Sequence, residues 1–130
     1  MPEPHLTRRV RLPSEATAPR RARDFLAATC SAWNAERLVD TAALVLSELV
    51  SNAVLYAGTD LVVELRLGGG RLTMSVRDGA GTLPRPGEAR PGAIGGHGLD
   101  IVSRLADTWG VSPDPAGGKT VWCTLRTDPA

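Results

Sequence analysis

Two polar side chains stand four residues apart in an otherwise apolar stretch, Leu44-Val45-Leu46-Ser47-Glu48-Leu49-Val50-Ser51-Asn52-Ala53-Val54-Leu55. On a helix that spacing puts Glu48 and Asn52 on one side, with Ser51 beside them. The apolar residues cover most of the circumference, so the helix is expected inside the domain. A carboxylate seldom enters such surroundings without a partner. Beside an amide it can do chemistry. The amide oxygen of Asn52 is a hard ligand suited to Mg2+, an ion that keeps several waters and takes substrate phosphates into its shell. The carboxylate of Glu48 can polarise an attacking hydroxyl or water. A solvent-edge polar pair on an amphipathic helix fits the same spacing, and this stretch alone leaves both readings open.

Two further stretches could line a cavity with that pair. Asp78 ends an apolar-alternating run and is followed by Gly79-Ala80-Gly81. A carboxylate there can accept from the exocyclic amine of adenine and would repel the oxygen that guanine offers instead. Gly79 and Gly81 let the backbone approach a flat base closely. The alternative is a plain Asp-Gly turn. Gly95-Gly96-His97-Gly98-Leu99 then runs into a helical pattern. Glycines at a helix N-terminus expose backbone N–H groups to an anion, a usual phosphate cradle, although such turns also occur without ligands. It is neither a Walker A sequence nor a dinucleotide fingerprint. His97 is placed to touch a phosphate or to sit exposed on a lid, with no catalytic part.

The elements that must position these residues follow from periodicity. His5 to Leu12 alternates and carries Arg8, Arg9 and Arg11, as expected of an edge strand. Arg20 to Trp33 is helical, with Ala22, Phe25, Leu26, Thr29 and Trp33 on one side, and its basic start reads as a solvated face. Asn34 breaks the pattern. Leu38 to Tyr56 is the central helix, capped by Gly58. Asp60 to Leu67 and Arg71 to Arg77 form a hairpin around Gly68-Gly69-Gly70. Residues 79–97 are rich in proline and glycine, as in a functional lid. Gly98 to Ala106 is a short helix, and Thr108 to Val111 and Lys119 to Arg126 are strands. In the last of these, Val121, Cys123 and Leu125 alternate against Thr120, Trp122 and Thr124. The expected architecture is a single α+β two-layer sandwich, with a mixed, mostly antiparallel sheet covered on one face by three helices.

Composition narrows the function classes. With 130 residues, one domain is expected, and 42% hydrophobic with 22% charged residues is ordinary globular usage. A net charge of +1 argues against a nucleic-acid partner. Cys30 and Cys123 are far apart in no metal-binding pattern, which suggests buried free thiols in a reducing compartment. No stretch is read as a membrane span and the N-terminus lacks a signal-like apolar core, so a soluble cytoplasmic protein is expected.

In this order and spacing the pieces resemble the GHKL superfamily of gyrase, heat-shock chaperone, histidine kinase and mismatch-repair ATPases. Glu48-Leu-Val-Ser-Asn52 looks like its N box, Asp78-Gly-Ala-Gly81 like its first glycine box and Gly96-His-Gly98-Leu99 like its second. Gly117-Gly118-Lys119-Thr120 looks like its final strand motif. The resemblance runs from about Arg8 to Arg126. One departure concerns the first glycine box, usually Asp-x-Gly-x-Gly, whose glycines here fall one and three after Asp78. The small size and the wording Leu-Ser-Glu-Leu-Val-Ser-Asn-Ala are similar to anti-sigma-factor serine kinases and to stand-alone regulatory ATPases of actinobacteria.

The resemblance implies a Bergerat-type ATP-binding fold over residues 1–130, with a core of about 8–126 and a lid of about 79–97. It implies ATP and Mg2+ as ligands. It gives Glu48 the general-base role, Asn52 the metal and Asp78 the adenine. Gly81 belongs to the base site, Gly96, His97, Gly98 and Leu99 to the phosphate side, and Thr120 to the base. It also implies protein clients: a sigma factor that is sequestered and an anti-anti-sigma-type antagonist phosphorylated on Ser or Thr. A homodimer is compatible with it, and no nucleic acid or membrane partner is implied. The alternative is an ATP-binding interaction module with little or no kinase activity.

Overall fold

The computed structural model describes residues 5–79 and 98–127. In chain order these form β1 (Leu6–Leu12), α1 (Ala18–Ala32), a 3-10 turn (Glu36–Leu38), α2 (Val39–Tyr56), β2 (Leu61–Gly68) and β3 (Arg71–Asp78). After the undescribed residues come α3 (Gly98–Leu105), β4 (Thr108–Pro113) and β5 (Lys119–Arg126). Local chemistry sets the ends. Pro19 lies in the first turn of α1, where its missing N–H costs nothing. Asn34 takes a left-handed φ of 54° after α1, and Gly58 one of 68° after α2.

The strands form one sheet in the order β1-β2-β3-β5-β4. All four pairings among the described residues are antiparallel, so the parallel element expected in a mixed sheet is not among them. The β2–β3 and β4–β5 connections are hairpins, whereas α3 leads to β4 running in the same sense as β3, with β5 between them. The edge position of β1 agrees with its arginines; Arg9 pairs with Glu64 at 2.7 Å.

The helices cover one sheet face. Leu61, Val63 and Leu65 of β2, Leu72, Met74 and Val76 of β3, and Val121, Cys123 and Leu125 of β5 are buried beneath them. Helix α2 supplies Ala42, Val45, Leu46, Leu49, Val50 and Ala53, a helical stripe turned to this core. The opposite sheet face carries Arg66, Thr73, Ser75, Arg77, Thr124 and the half-buried Trp122. The α+β two-layer sandwich is therefore present.

Two expectations about α2 need correction. Its apolar circumference is not wholly buried, since Leu44 and Leu55 are 47% and 44% exposed. And Glu36–Leu55 is, by length and a mean hydropathy of 1.6, apolar enough to cross a membrane. A central helix passes that measure because one side is core and the other still bears leucines. Length and composition alone do not separate these cases.

Cys30 and Cys123 are free and buried. Burial pushes the Cys123 thiol up to about 12, against a smaller opposing effect of a hydrogen bond from the Met74 backbone. Burial, aided by Glu36, also raises Cys30. Above the ordinary thiol value of 9.0, the unfolded chain gives up a proton that the folded chain keeps. Folding stability must then fall as pH rises from there towards about 12. Urea unfolding at about pH 8 and about pH 10.5 should show an alkaline loss to which Cys123 contributes up to about 1.4 kcal/mol per pH unit, and Cys123→Ala should lose correspondingly less.

Candidate functional site

Helix α2 lies between α1 and α3. Arg23 of α1 donates to Ser47 Oγ at 3.2 Å, and Ser47 donates to the Ala43 carbonyl at 2.7 Å, so Ser47 marks the flank facing α1. At 3.6 residues per turn Glu48 is rotated from Ser47 by roughly 100° and Asn52 by roughly 140° in the same sense. Both are thereby turned away from α1. Glu48, Ser51 and Asn52 are half-buried, between the exposed Leu44 and Leu55. They lie at a rim rather than in the core, where their side chains remain partly accessible.

The C-terminal end of α2 is tied to the end of β3. The Gly79 N–H donates to Thr59 Oγ at 2.8 Å, and Thr59 belongs to the loop joining α2 to β2. β5 starts at the same edge of the sandwich, with Lys119 in register with Asp78. Helix α3 hands over to β4 at the far end of the sheet, where the Asp107 N–H donates to the Thr124 carbonyl at 2.8 Å. Gly98, its first residue, is the end remote from that handover. Asp78, Lys119 and the last turns of α2 thus belong to one end of the domain.

At that end Asp78 is 3% exposed and Lys119 is 3% exposed. Lys119 Nζ donates to Asp78 Oδ1 at 3.0 Å. The turn that delivers Lys119 has little freedom. Gly118 has a φ of +88°, and a Cβ built on it would stand 2.2 Å from the Asp78 carbonyl oxygen. Only glycine serves there. The Asp114 N–H donates to the Gly118 carbonyl at 2.9 Å, and Asp114 is itself ion-paired with Arg77. The β4–β5 turn is so pinned against the end of β3.

The predicted residues are brought together unequally. Glu48 and Asn52 share the rim of α2, and Asp78 lies at the sheet end to which α2 leads. Gly98 and Leu99 open α3. Gly81, Gly96 and His97, with most of the expected lid, lie outside the described residues. Thr120 is not joined to Asp78. Its side chain alternates onto the other sheet face, paired in register with Arg77. Lys119, to which sequence reasoning gave no role, shares the face of Asp78. Among the described residues no group of three or more His, Cys, Asp or Glu could hold a metal. The hard amide oxygen of Asn52 suits a Mg2+ ion that arrives with phosphates.

A model of the histidine kinase-like ATPase domain matches residues 12–125. The chain belongs to that family. No curated protein matches the chain significantly. The match runs from the end of β1 to the penultimate residue of β5, so this histidine kinase-like ATPase domain comprises both layers of the sandwich, and ATP binding is the function that membership supports.

In this ATPase domain the ion pair at the sheet end carries a stability cost if broken. Removing one partner leaves an uncompensated buried charge, at about 3–5 kcal/mol. Asp78→Asn and Lys119→Met should each destabilise by about that much in urea unfolding, and the double variant should recover at least about 2 kcal/mol of the summed loss. Additive losses would show that the pair is not coupled.

Proposed function

We propose that the chain is an ATP-dependent regulator of the anti-sigma-factor kinase kind. It transfers the γ-phosphoryl group of ATP to a Ser or Thr of an antagonist protein and sequesters a sigma factor. The observation that carries this reading is the shared half-buried rim of Glu48 and Asn52 on α2, whose C-terminal loop is bonded through Thr59 to Gly79. An acid suited to activating a hydroxyl and an acid suited to reading a base are then parts of one end of the domain.

In this reading Asp78 accepts from the exocyclic amine of adenine, and Gly81 gives the base room. The N–H groups around Gly96 and Gly98 receive phosphate, flanked by His97 and Leu99. Asn52 and the phosphates would hold Mg2+, which supplies neutralising charge. Glu48 orients the acceptor hydroxyl and takes its proton. The hydroxyl oxygen bonds to the γ-phosphorus, the bond to the β,γ-bridging oxygen breaks, and ADP leaves. The reading implies a cytoplasmic site of action, where ATP and reduced thiols coexist, and it accommodates a homodimer.

ATP with Mg2+ should raise the melting temperature, as any specific ligand of the folded state must. With γ-labelled ATP and a candidate antagonist, Glu48→Ala should retain that shift and lose about 10²- to 10⁴-fold in transfer. Loss of ATP binding in a folded Glu48→Ala protein would contradict this division of labour. Intact ATP binding with no labelled antagonist would favour the interaction module.

A further inference from the structure

We propose that the free edge of β1 is a docking strand for an extended acidic segment of a partner protein. The segment adds to the sheet beside β1 and sets its carboxylates on the β1 arginines. No residue of the nucleotide site takes part.

β1 is paired with β2 along its whole length, from Leu6 against Leu67 to Leu12 against Leu61. Its other edge pairs with no described strand. Alternate N–H and C=O groups of an edge strand point away from the sheet, so this edge offers donors and acceptors to another extended chain. The helix layer leaves the first half of the strand open. Leu6, Thr7, Arg8 and Arg9 are exposed, and only Leu12 is fully buried.

The charges along this edge have one sign. Arg9 and Arg11 stand on the outer sheet face, Arg8 on the helix side, and β1 carries no acid. Arg11 meets Asp60 at 3.9 Å, between side chains that are 72% and 59% exposed. So open a pair contributes little and exchanges readily for another carboxylate. The Arg8 guanidinium lies 5.7 Å from the centroid of the Phe25 ring, a cation–π contact that ties the edge to α1.

That contact also shows which flank of α1 overhangs the edge. Phe25 is half-buried there, and Arg21, four residues earlier, shares the flank and is exposed. A strand added beside β1 runs about 4.8 Å away, beneath this flank. Its helix-side residues meet Phe25 and Arg21, and its other residues meet Arg9 and Arg11. Alternating apolar and acidic residues fit both sides. A second copy of β1 does not, because it brings three more arginines to the same ladder and like charges facing across strands are unfavourable. With a net charge of +1 the whole chain does not attract polyanions, so the attraction is local to this strand.

The test uses the full chain at low salt and fluorescein-labelled peptides of about the length of β1 that alternate Glu and Val. Controls replace Glu by Lys, or methylate alternate peptide nitrogens in either phase. Anisotropy should give the Glu peptide at least about tenfold the affinity of the Lys peptide, and one phase of methylation should cost it at least about tenfold. Arg9→Glu with Arg11→Glu should weaken binding at least about tenfold, and Arg37→Glu with Arg104→Glu, the same change of charge at two other exposed arginines, less than about threefold. Equal affinity for the Glu and Lys peptides, or no binding of the Glu peptide, would overturn the proposal. Indifference to methylation in both phases would overturn it too, since charge alone would then be recognised, as would equal losses in the two double variants. Amide shifts of β1 that follow protein concentration without peptide would put a second copy in that place and would also defeat it. Should the β1 variant fail to fold, the peptide comparisons on the unaltered chain decide alone.

Discussion

A buried carboxylate held by a buried ammonium sets the conditions at the functional end of this domain. Taking Asp78 and Lys119 out of water costs several kcal/mol per ion before their attraction returns any of it. The fold meets that cost by making them register partners on β3 and β5, so the ladder itself brings the charges to 3.0 Å. Close approach of the two backbones then requires glycine at 118, because any Cβ would enter the Asp78 carbonyl. Apolar residues of similar volume would have served stability as well or better.

Helix α2 couples that end to the rest of the molecule. Its inner stripe from Ala42 to Ala53 packs on the sheet, and its rim carries Glu48, Ser51 and Asn52. The helix is thus held by one face and leaves a half-buried polar rim on another. Arg23 bonding to Ser47 fixes its rotation against α1, and Gly79 bonding to Thr59 fixes the loop at its end. A site whose side chains come from a packed helix and from strand ends keeps its geometry better than one built on loops.

Much of this was legible in the residues. The helix and strand periods, the Asn34 and Gly58 stops and the hairpin glycines are local signals, and the elements fall within a few residues of where those signals put them. Less legible were properties that depend on how elements meet. Exposure of Leu44 and Leu55 depends on what covers the outer side of α2, which a helical pattern does not contain. The antiparallel pairing of the described strands depends on strand order, since β4 runs the same way as β3 and only β5 between them makes both neighbours antiparallel. Lys119 is a different case. The alternation of Val121, Cys123 and Leu125 already implied an inward Lys119, and Leu72, Met74 and Val76 implied an inward Asp78. Attention to the hydroxyl of Thr120 passed over a phase rule that a one-residue offset inverts.

The central claim is that α2, the end of β3 and the start of β5 surround one purine nucleotide in a histidine kinase-like ATPase domain. An amide-resolved NMR titration with ATP and Mg2+ tests it most directly. The account predicts that Asn52, Gly79, Gly118 and Lys119 shift together along one binding curve, while Thr73 and Trp122 on the opposite sheet face stay in place. Shifts confined to that opposite face, or separate curves for Asn52 and Lys119, would contradict it.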